Sequence, residues 1–253
     1  RRLHLPETIE VKILELLSER NLDPQHKAKD IAAAITKLSN FYLQNPMAPT
    51  PWQETWAQVA YLAYYLPLNL ARNQAVFDEA QRTGFTEGLE TLIDFGSGLG
   101  SGFLAWTPHD FKNLISIDRS TNALKLQTEF LEAMKPSREQ NTNSTYQATQ
   151  FTQATQVRDL ALGALSQRAV LASYALTELD QENEMQTLPQ WMLDSEALII
   201  IEPSTREDGR KLLLLRQSLI DQGFSIWAPC THQGHCPLLI DSEKDWCHDR
   251  IHW

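Results

Sequence analysis

Eight residues limit what this chain can fold into: Ile93-Asp94-Phe95-Gly96-Ser97-Gly98-Leu99-Gly100. An apolar run, Thr91-Leu92-Ile93-Asp94, leads into them, and a helical pattern follows. Only glycine lets the backbone turn this tightly and lets a ligand approach the peptide plane closely. A strand, a glycine turn and a helix in succession form the first unit of a parallel α/β sheet. The rest of the chain agrees. From Leu89 onward, short apolar runs alternate with helical periodicity, giving strands at Leu114–Ile117, Ala169–Ser173 and Ala197–Ile201. Phe224-Ser225-Ile226-Trp227 reads as a late strand. Residues 136–157 are rich in Gln, Asn, Thr and Ser and read as a long loop, with an edge strand near Tyr146 to Phe151. Ser204-Thr205-Arg206-Glu207 has the form of a capping box, and the helix it opens ends at Gly223.

Ahead of the sheet, residues 6 to about 85 read as helical. Ile9, Ile13, Leu16 and Leu17 recur at helix spacing, as do Ile31, Ile35, Leu38 and Tyr42. Thr50-Pro51-Trp52-Gln53 predicts a helix start, with Thr50 as cap and Pro51 in the first turn. Trp56 to Leu66 is apolar nearly all round, the mark of a buried helix, and a further helix over about Leu68 to Arg82 stops at Gly84. The division expected is an N-terminal helical region over 1–85 and an α/β domain over 86–253.

A glycine turn of this kind suits either the pyrophosphate of NAD or S-adenosylmethionine. Two acids favour the second. Asp94 closes the strand just before the glycines, within reach of a methionine moiety. Asp118 ends the next strand 24 residues later, placed for ribose hydroxyls. The dinucleotide fingerprint asks for a further glycine three residues on, and finds Leu99 from Gly96 and Ser101 from Gly98. The expected cofactor-binding residues are Asp94, Gly96, Ser97, Gly98, Gly100, Asp118 and Ser173. Ser173-Tyr174-Ala175-Leu176-Thr177-Glu178-Leu179 sits at a strand's carboxyl end, where open α/β sheets collect ligands. The Asn/Asp-Pro-Pro-aromatic motif of amine methyltransferases is absent there, and no catalytic base or nucleophile is assigned. Glu178 and Glu202-Pro203 are read as rim or capping residues.

All three cysteines fall near the C-terminus: Cys230 and Cys236 in Pro229-Cys230-Thr231-His232-Gln233-Gly234-His235-Cys236-Pro237, and Cys247 in Asp245-Trp246-Cys247-His248. An odd count in a chain without an export-type start argues against a disulfide framework, and a cytoplasmic location is expected. Thiolates gathered among imidazoles are the donor set of zinc or an iron–sulfur cluster. Cys230, Cys236 and Cys247 are the expected metal ligands. A fourth comes from His232, His235, His248 or His252, or from beyond Trp253. The net charge of −10 argues against a generic, charge-driven nucleic-acid binder, while leaving room for a local basic face around Arg206, Arg210, Lys211 and Arg216. No apolar run approaches a membrane span.

Taken in order, Asp94 to Gly100, Ala172 to Leu179, Ile201-Glu202-Pro203-Ser204, Ala228 to Leu238 and Asp245-Trp246-Cys247-His248 resemble one methyltransferase-like family, that of the mitochondrial small-ribosomal-subunit assembly proteins and their bacterial relatives. Ala60-Tyr61-Leu62-Ala63-Tyr64-Tyr65-Leu66-Pro67 also resembles the family's segment ahead of the fold, so the resemblance covers about residues 55 to 248. It implies a Rossmann-like class I methyltransferase sheet with an N-terminal helical region and a C-terminal Cys-rich metal loop over 228–248. It implies S-adenosylmethionine binding, a [4Fe–4S] cluster on four cysteines (zinc being the alternative), and association with the small ribosomal subunit or its rRNA. No membrane or DNA partner is expected. Two other functions fit the same residues: an active methyltransferase on RNA, protein or a small molecule with a structural zinc loop, and an inactive methyltransferase-fold binding module.

Overall fold

The computed structural model describes residues 5–22, 24–45, 48–106, 111–134, 145–150, 167–176 and 188–250. Five parallel strands form one sheet: β1 (Thr91–Phe95), β2 (Asn113–Asp118), β3 (Thr145–Gln150), β4 (Arg168–Ser173) and β5 (Ala197–Ile201), in the order β3-β2-β1-β4-β5. The order reverses between β1 and β4, which pair in register from Thr91 opposite Arg168 to Phe95 opposite Ala172. At such a switch point the chain departs in opposite directions from neighbouring strand ends and leaves a crevice.

Strand periodicity of two sorts the core into two layers. Leu92, Leu114, Ala169, Leu171 and Ile199 belong to the cluster that includes the N-terminal helices. Ile93, Phe95, Ile115, Ile117, Val170 and Ala172 belong to the other, with Trp191 and Met192 of α7 (Gln190–Leu193) and Leu215 and Leu219 of α8 (Arg206–Asp221). The same parity assigns Asp94, Ser116, Asp118 and Ser173 to the first face, at the carboxyl ends of their strands.

That face is covered by α4 (Leu66–Arg82), α5 (Ser101–Trp106) and α6 (Thr121–Met134). Outside them lie α1 (Glu7–Glu19), which buries Ile9, Ile13, Leu16 and Leu17 as its spacing predicts, and α2 (Pro24–Gln44). The N-terminal helices and the sheet therefore share one apolar core.

Four local expectations are corrected. Residues 50–54 form a turn, with the helix α3 starting at Thr55 (Thr55–Ala60). The Thr50 hydroxyl is bonded to the Tyr42 hydroxyl at 2.8 Å, and Trp52 is buried. The apolar helix does not end before the next begins. It passes through a π-helical turn, Tyr61–Tyr65, into α4, with Leu66 N–H donating to Tyr61 O. Pro67 has no N–H to donate and its ring crowds the preceding turn, so the wider turn accommodates it. Residues 224–227 are not a strand. Ile226 N–H and C=O are instead paired by the Gln233 side-chain amide, at 2.7 and 2.8 Å, which replaces a ladder partner. The cap of α8 is Thr205, one residue later than the capping box predicts, and it accepts from Asp208 N–H at 3.1 Å. Gly223, at φ +97°, follows the end of that helix as expected.

Candidate functional site

The glycine turn is held from beneath by β2. Gly96 and Ser97 donate their N–H groups to Ile117 O at 2.8 and 3.1 Å, and Gly98 N–H donates to Asp118 Oδ2 at 2.8 Å. Gly96, Gly98 and Gly100 all have positive φ, which costs an L side chain energy. Space is equally decisive at Gly96, where a Cβ would lie 2.4 Å from Ala175 Cβ. This contact brings the turn after β1 against the segment after β4, across the switch point.

Both acids are almost fully enclosed. Asp94 Oδ2 accepts from Phe103 N–H at 2.8 Å, anchoring the first turn of α5. Burial pushes its carboxyl up to about 7, against the pull of that hydrogen bond and with a further push from Asp118. Asp118 accepts from Ser120 N–H as well as from Gly98, each at 2.8 Å, and burial raises its pKa too. The two carboxylates thus fix the shape of the turn.

Buried polar residues that sequence reasoning did not single out complete the site. Gln127 of α6 donates to Ser116 Oγ at 2.9 Å and accepts from Ser97 Oγ at 3.4 Å, beneath Gly100. Its readable signal was a glutamine within the apolar stripe of Ala123, Leu126 and Phe130. Asn73 of α4 donates to Asn69 O at 2.8 Å and to Ser173 Oγ at 3.0 Å. Its Oδ1 is buried without a partner among the described residues. Tyr174 holds a left-handed backbone at φ +59°, donates its N–H to Ile201 O at 2.7 Å, and carries the Arg72 guanidinium 4.9 Å above its ring. Glu202 is buried and accepts from Leu176 N–H at 3.0 Å, bracing the end of β4 from β5. Thr177, Glu178 and Leu179 lie outside the described residues. From above, Trp52 comes within 3.5 Å of where a Gly98 Cβ would be, and its ring is 4.5 Å from that of Tyr61. The helical region therefore roofs the glycine turn.

The cysteine loop is docked on α8. Arg210 donates to the carbonyls of Leu238, Ser242 and Asp245, at 3.4, 3.0 and 2.9 Å. Arg216 donates to His232 O at 2.7 Å, to Gly234 O at 2.9 Å and to Cys230 Sγ at 3.2 Å. Trp246 lies on Gly209, where a Cβ would come 2.5 Å from Trp Cδ1, and its indole N–H donates to Ser204 O at 3.0 Å. The basic face that the sequence leaves room for is thereby reduced, with Arg206 alone of its four residues exposed. Arg210 and Arg216 turn inward, and Lys211 pairs with Glu207 at 3.2 Å.

Cys236 is buried, Cys230 half-buried and Cys247 exposed. Partial burial raises the Cys247 thiol above its ordinary range, and Cys230, Cys236 and Asp249 raise it further. Among the described residues, no three His, Cys, Asp or Glu side chains are gathered closely enough to hold a metal ion. His252 lies outside those residues.

A parallel sheet of this order, with a glycine turn at its switch point, defines a Rossmann-like α/β protein. The chain belongs to the mitochondrial small ribosomal subunit Rsm22 family, whose profile matches residues 55–252. It is also similar to the human protein "Ribosome assembly protein METTL17, mitochondrial", being 26% identical over 213 residues, which is 75% of this chain and 44% of that protein. The chain thus spans less than half the length of that relative.

Proposed function

We propose that this chain is a methyltransferase-like assembly factor of the small ribosomal subunit, which binds S-adenosylmethionine at the glycine turn and carries a thiolate-ligated metal centre on the cysteine loop. One observation carries the reading: the family match runs through both the glycine turn and the cysteine loop without leaving either out. The human relative is named a ribosome assembly protein, and the partner proposed here is the small subunit or its rRNA.

Support for the cofactor comes from the switch point between β1 and β4, with its three positive-φ glycines and its enclosed acids. Asp94, Gly96, Ser97, Gly98, Gly100, Asp118 and Ser173, the residues proposed to bind it, lie at the carboxyl ends of β1, β2 and β4 or in the turn after β1. Support for the metal is of donor type and charge. All three cysteines belong to the segment docked on α8, and a buried guanidinium, which no described carboxylate pairs, points an N–H at Cys230. Cys230, Cys236 and Cys247 would hold the centre, a [4Fe–4S] cluster in this reading, with a fourth ligand from a histidine or from elsewhere in the full-length protein. When bound, such a centre supplies either structural cross-linking or electron transfer.

The test is sedimentation of purified protein with small ribosomal subunits through a sucrose gradient. Co-migration at micromolar concentration is expected, and its absence overturns the assembly role. Calorimetry with S-adenosylmethionine checks the cofactor, and no heat from protein with an intact Asp94 turn removes that part. Iron, sulfide and zinc analysis after anaerobic purification decides the metal.

A further inference from the structure

We infer that Arg72 and Asn73 form a receptor for the amino-acid end of the cofactor, Arg72 taking its carboxylate and Asn73 its ammonium group. The inference rests on the S-adenosylmethionine reading above and adds two residues that lie outside the glycine turn, on a helix of the N-terminal region.

Neighbouring residues of α4 meet neighbouring residues at the end of β4. Asn73 Nδ2 donates to Ser173 Oγ at 3.0 Å, and the Arg72 guanidinium lies 4.9 Å above the Tyr174 ring. Asn69 joins the two: its backbone carbonyl accepts from Asn73 at 2.8 Å, and its side-chain Oδ1 accepts from Arg72 at 3.0 Å. The next residue along, Ala175, is the one that abuts Gly96. Both α4 side chains therefore stand beside the glycine turn at the switch point, where open α/β sheets bind ligands.

Asn73 is fully buried, and its Oδ1 has no partner among the described residues. The amide cannot be turned over, because the atom that faces Asn69 O must be a donor. What remains is a buried acceptor without a donor, an arrangement that native folds rarely keep. Ser173, bonded to that amide, is only half-buried, so the surface is one side chain away. Arg72 is the complement. It is half-buried, no described carboxylate pairs with it, and among the described residues only its N–H to Asn69 is bonded. A guanidinium is permanently charged, and its fork matches a carboxylate. An orphan acceptor beside an unpaired cation suits a zwitterion, whose ammonium supplies the missing donor and whose carboxylate supplies the missing charge. S-adenosylmethionine carries that pair at its methionine end. The pyrophosphate of a dinucleotide offers acceptors only, which would suit Arg72 and leave Asn73 Oδ1 unsatisfied.

Calorimetric titration of the purified protein with three ligands separates the two contacts. S-adenosylmethionine has both groups, decarboxylated S-adenosylmethionine keeps the amine and lacks the carboxylate, and methylthioadenosine has neither. Arg72→Gln is expected to weaken the first about tenfold and to leave the other two unchanged, with Arg72→Lys recovering part of the loss. Asn73→Ala is expected to weaken the first two about tenfold and to leave methylthioadenosine unchanged. For either residue, a loss shared by all three ligands, or no loss at all, overturns its role and leaves the cofactor reading standing. Equal wild-type affinity for the three ligands does the same for both residues. Because Asn73 is buried, its variant is first checked for a native melting transition, and if it does not fold the Arg72 variants decide the inference. Wild-type protein that binds none of the three overturns both the inference and the cofactor reading beneath it.

Discussion

Asp118 accepts the backbone N–H of Gly98 on one carboxylate oxygen and that of Ser120 on the other, each at 2.8 Å. A single side chain thus fixes the turn after β1 to the turn after β2. Asp118→Asn is nearly isosteric but offers only one acceptor oxygen, so one of the two N–H groups must face an amide NH₂. Its expected cost is about 1–3 kcal/mol, the penalty of an unsatisfied buried donor. Urea unfolding of the two proteins measures it, and coincident midpoints would show that the carboxylate does not hold the turn.

Asp94 makes stability depend on pH in a direction opposite to most native carboxylates. Folded, it keeps its proton to about pH 7, while in the unfolded chain it releases it near 3.8. The folded state binds more protons in that window, so stability falls as pH rises from about 4 to 7. Across the window the loss is at most about 4 kcal/mol. Asp94→Asn keeps an acceptor for Phe103 N–H and cannot ionise. Its unfolding free energy should rise relative to wild type between about pH 4.5 and 7.5, and parallel profiles for the two proteins would refute the assignment.

The glycines of the turn should respond unequally to alanine. At Gly96 a methyl group meets Ala175 Cβ at 2.4 Å in a backbone of φ +66°. Collision and conformational strain together suggest roughly 2–4 kcal/mol. At Gly98 the nearest atom, on Trp52, is at 3.5 Å, an ordinary contact, and only strain of about 1–2 kcal/mol remains. Thermal unfolding of both variants gives the order, and Gly98→Ala proving the worse would contradict this packing of β1 on β4.

Gly209 lies within α8, where alanine ordinarily gains up to about 1 kcal/mol of helix propensity. Here the added methyl would displace Trp246 and with it the neighbouring Cys247. Gly209→Ala is therefore expected to lower stability and to speed alkylation of Cys247 by iodoacetamide severalfold. A stabilised variant with an unchanged alkylation rate would mean that the loop is not seated on Gly209.

Four strands were legible within a residue or two of their ends because buried parallel strands are short, unbroken apolar runs. The predicted Ala197–Ile201 coincides with β5, and Leu114–Ile117 lies inside β2. The edge strand near Tyr146 also appears, as β3 (Thr145–Gln150). Residues 224–227 misled for the same reason: they are apolar and strand-like, but their backbone is satisfied by Gln233 rather than by a neighbouring strand. Thr50 likewise has the chemistry of a cap, and Tyr42 claims its hydroxyl. Local propensity cannot register a partner supplied from elsewhere in the chain.

By itself the sequence determined the α/β alternation, the glycine turn with its acids, the thiol set and, through the order of those motifs, the family. Each of these is written in local pattern or residue chemistry. Tertiary structure decided how they are used. It brought Trp52 from the helical region over Gly98, slid Gln127 beneath Gly100, and set Asn73 against Ser173. It also turned Arg210 and Arg216 from a basic stretch of helix into the clasp of the cysteine loop. These relations depend on which buried charges and N–H groups find partners across the fold, and that accounting closes only when the whole chain is packed.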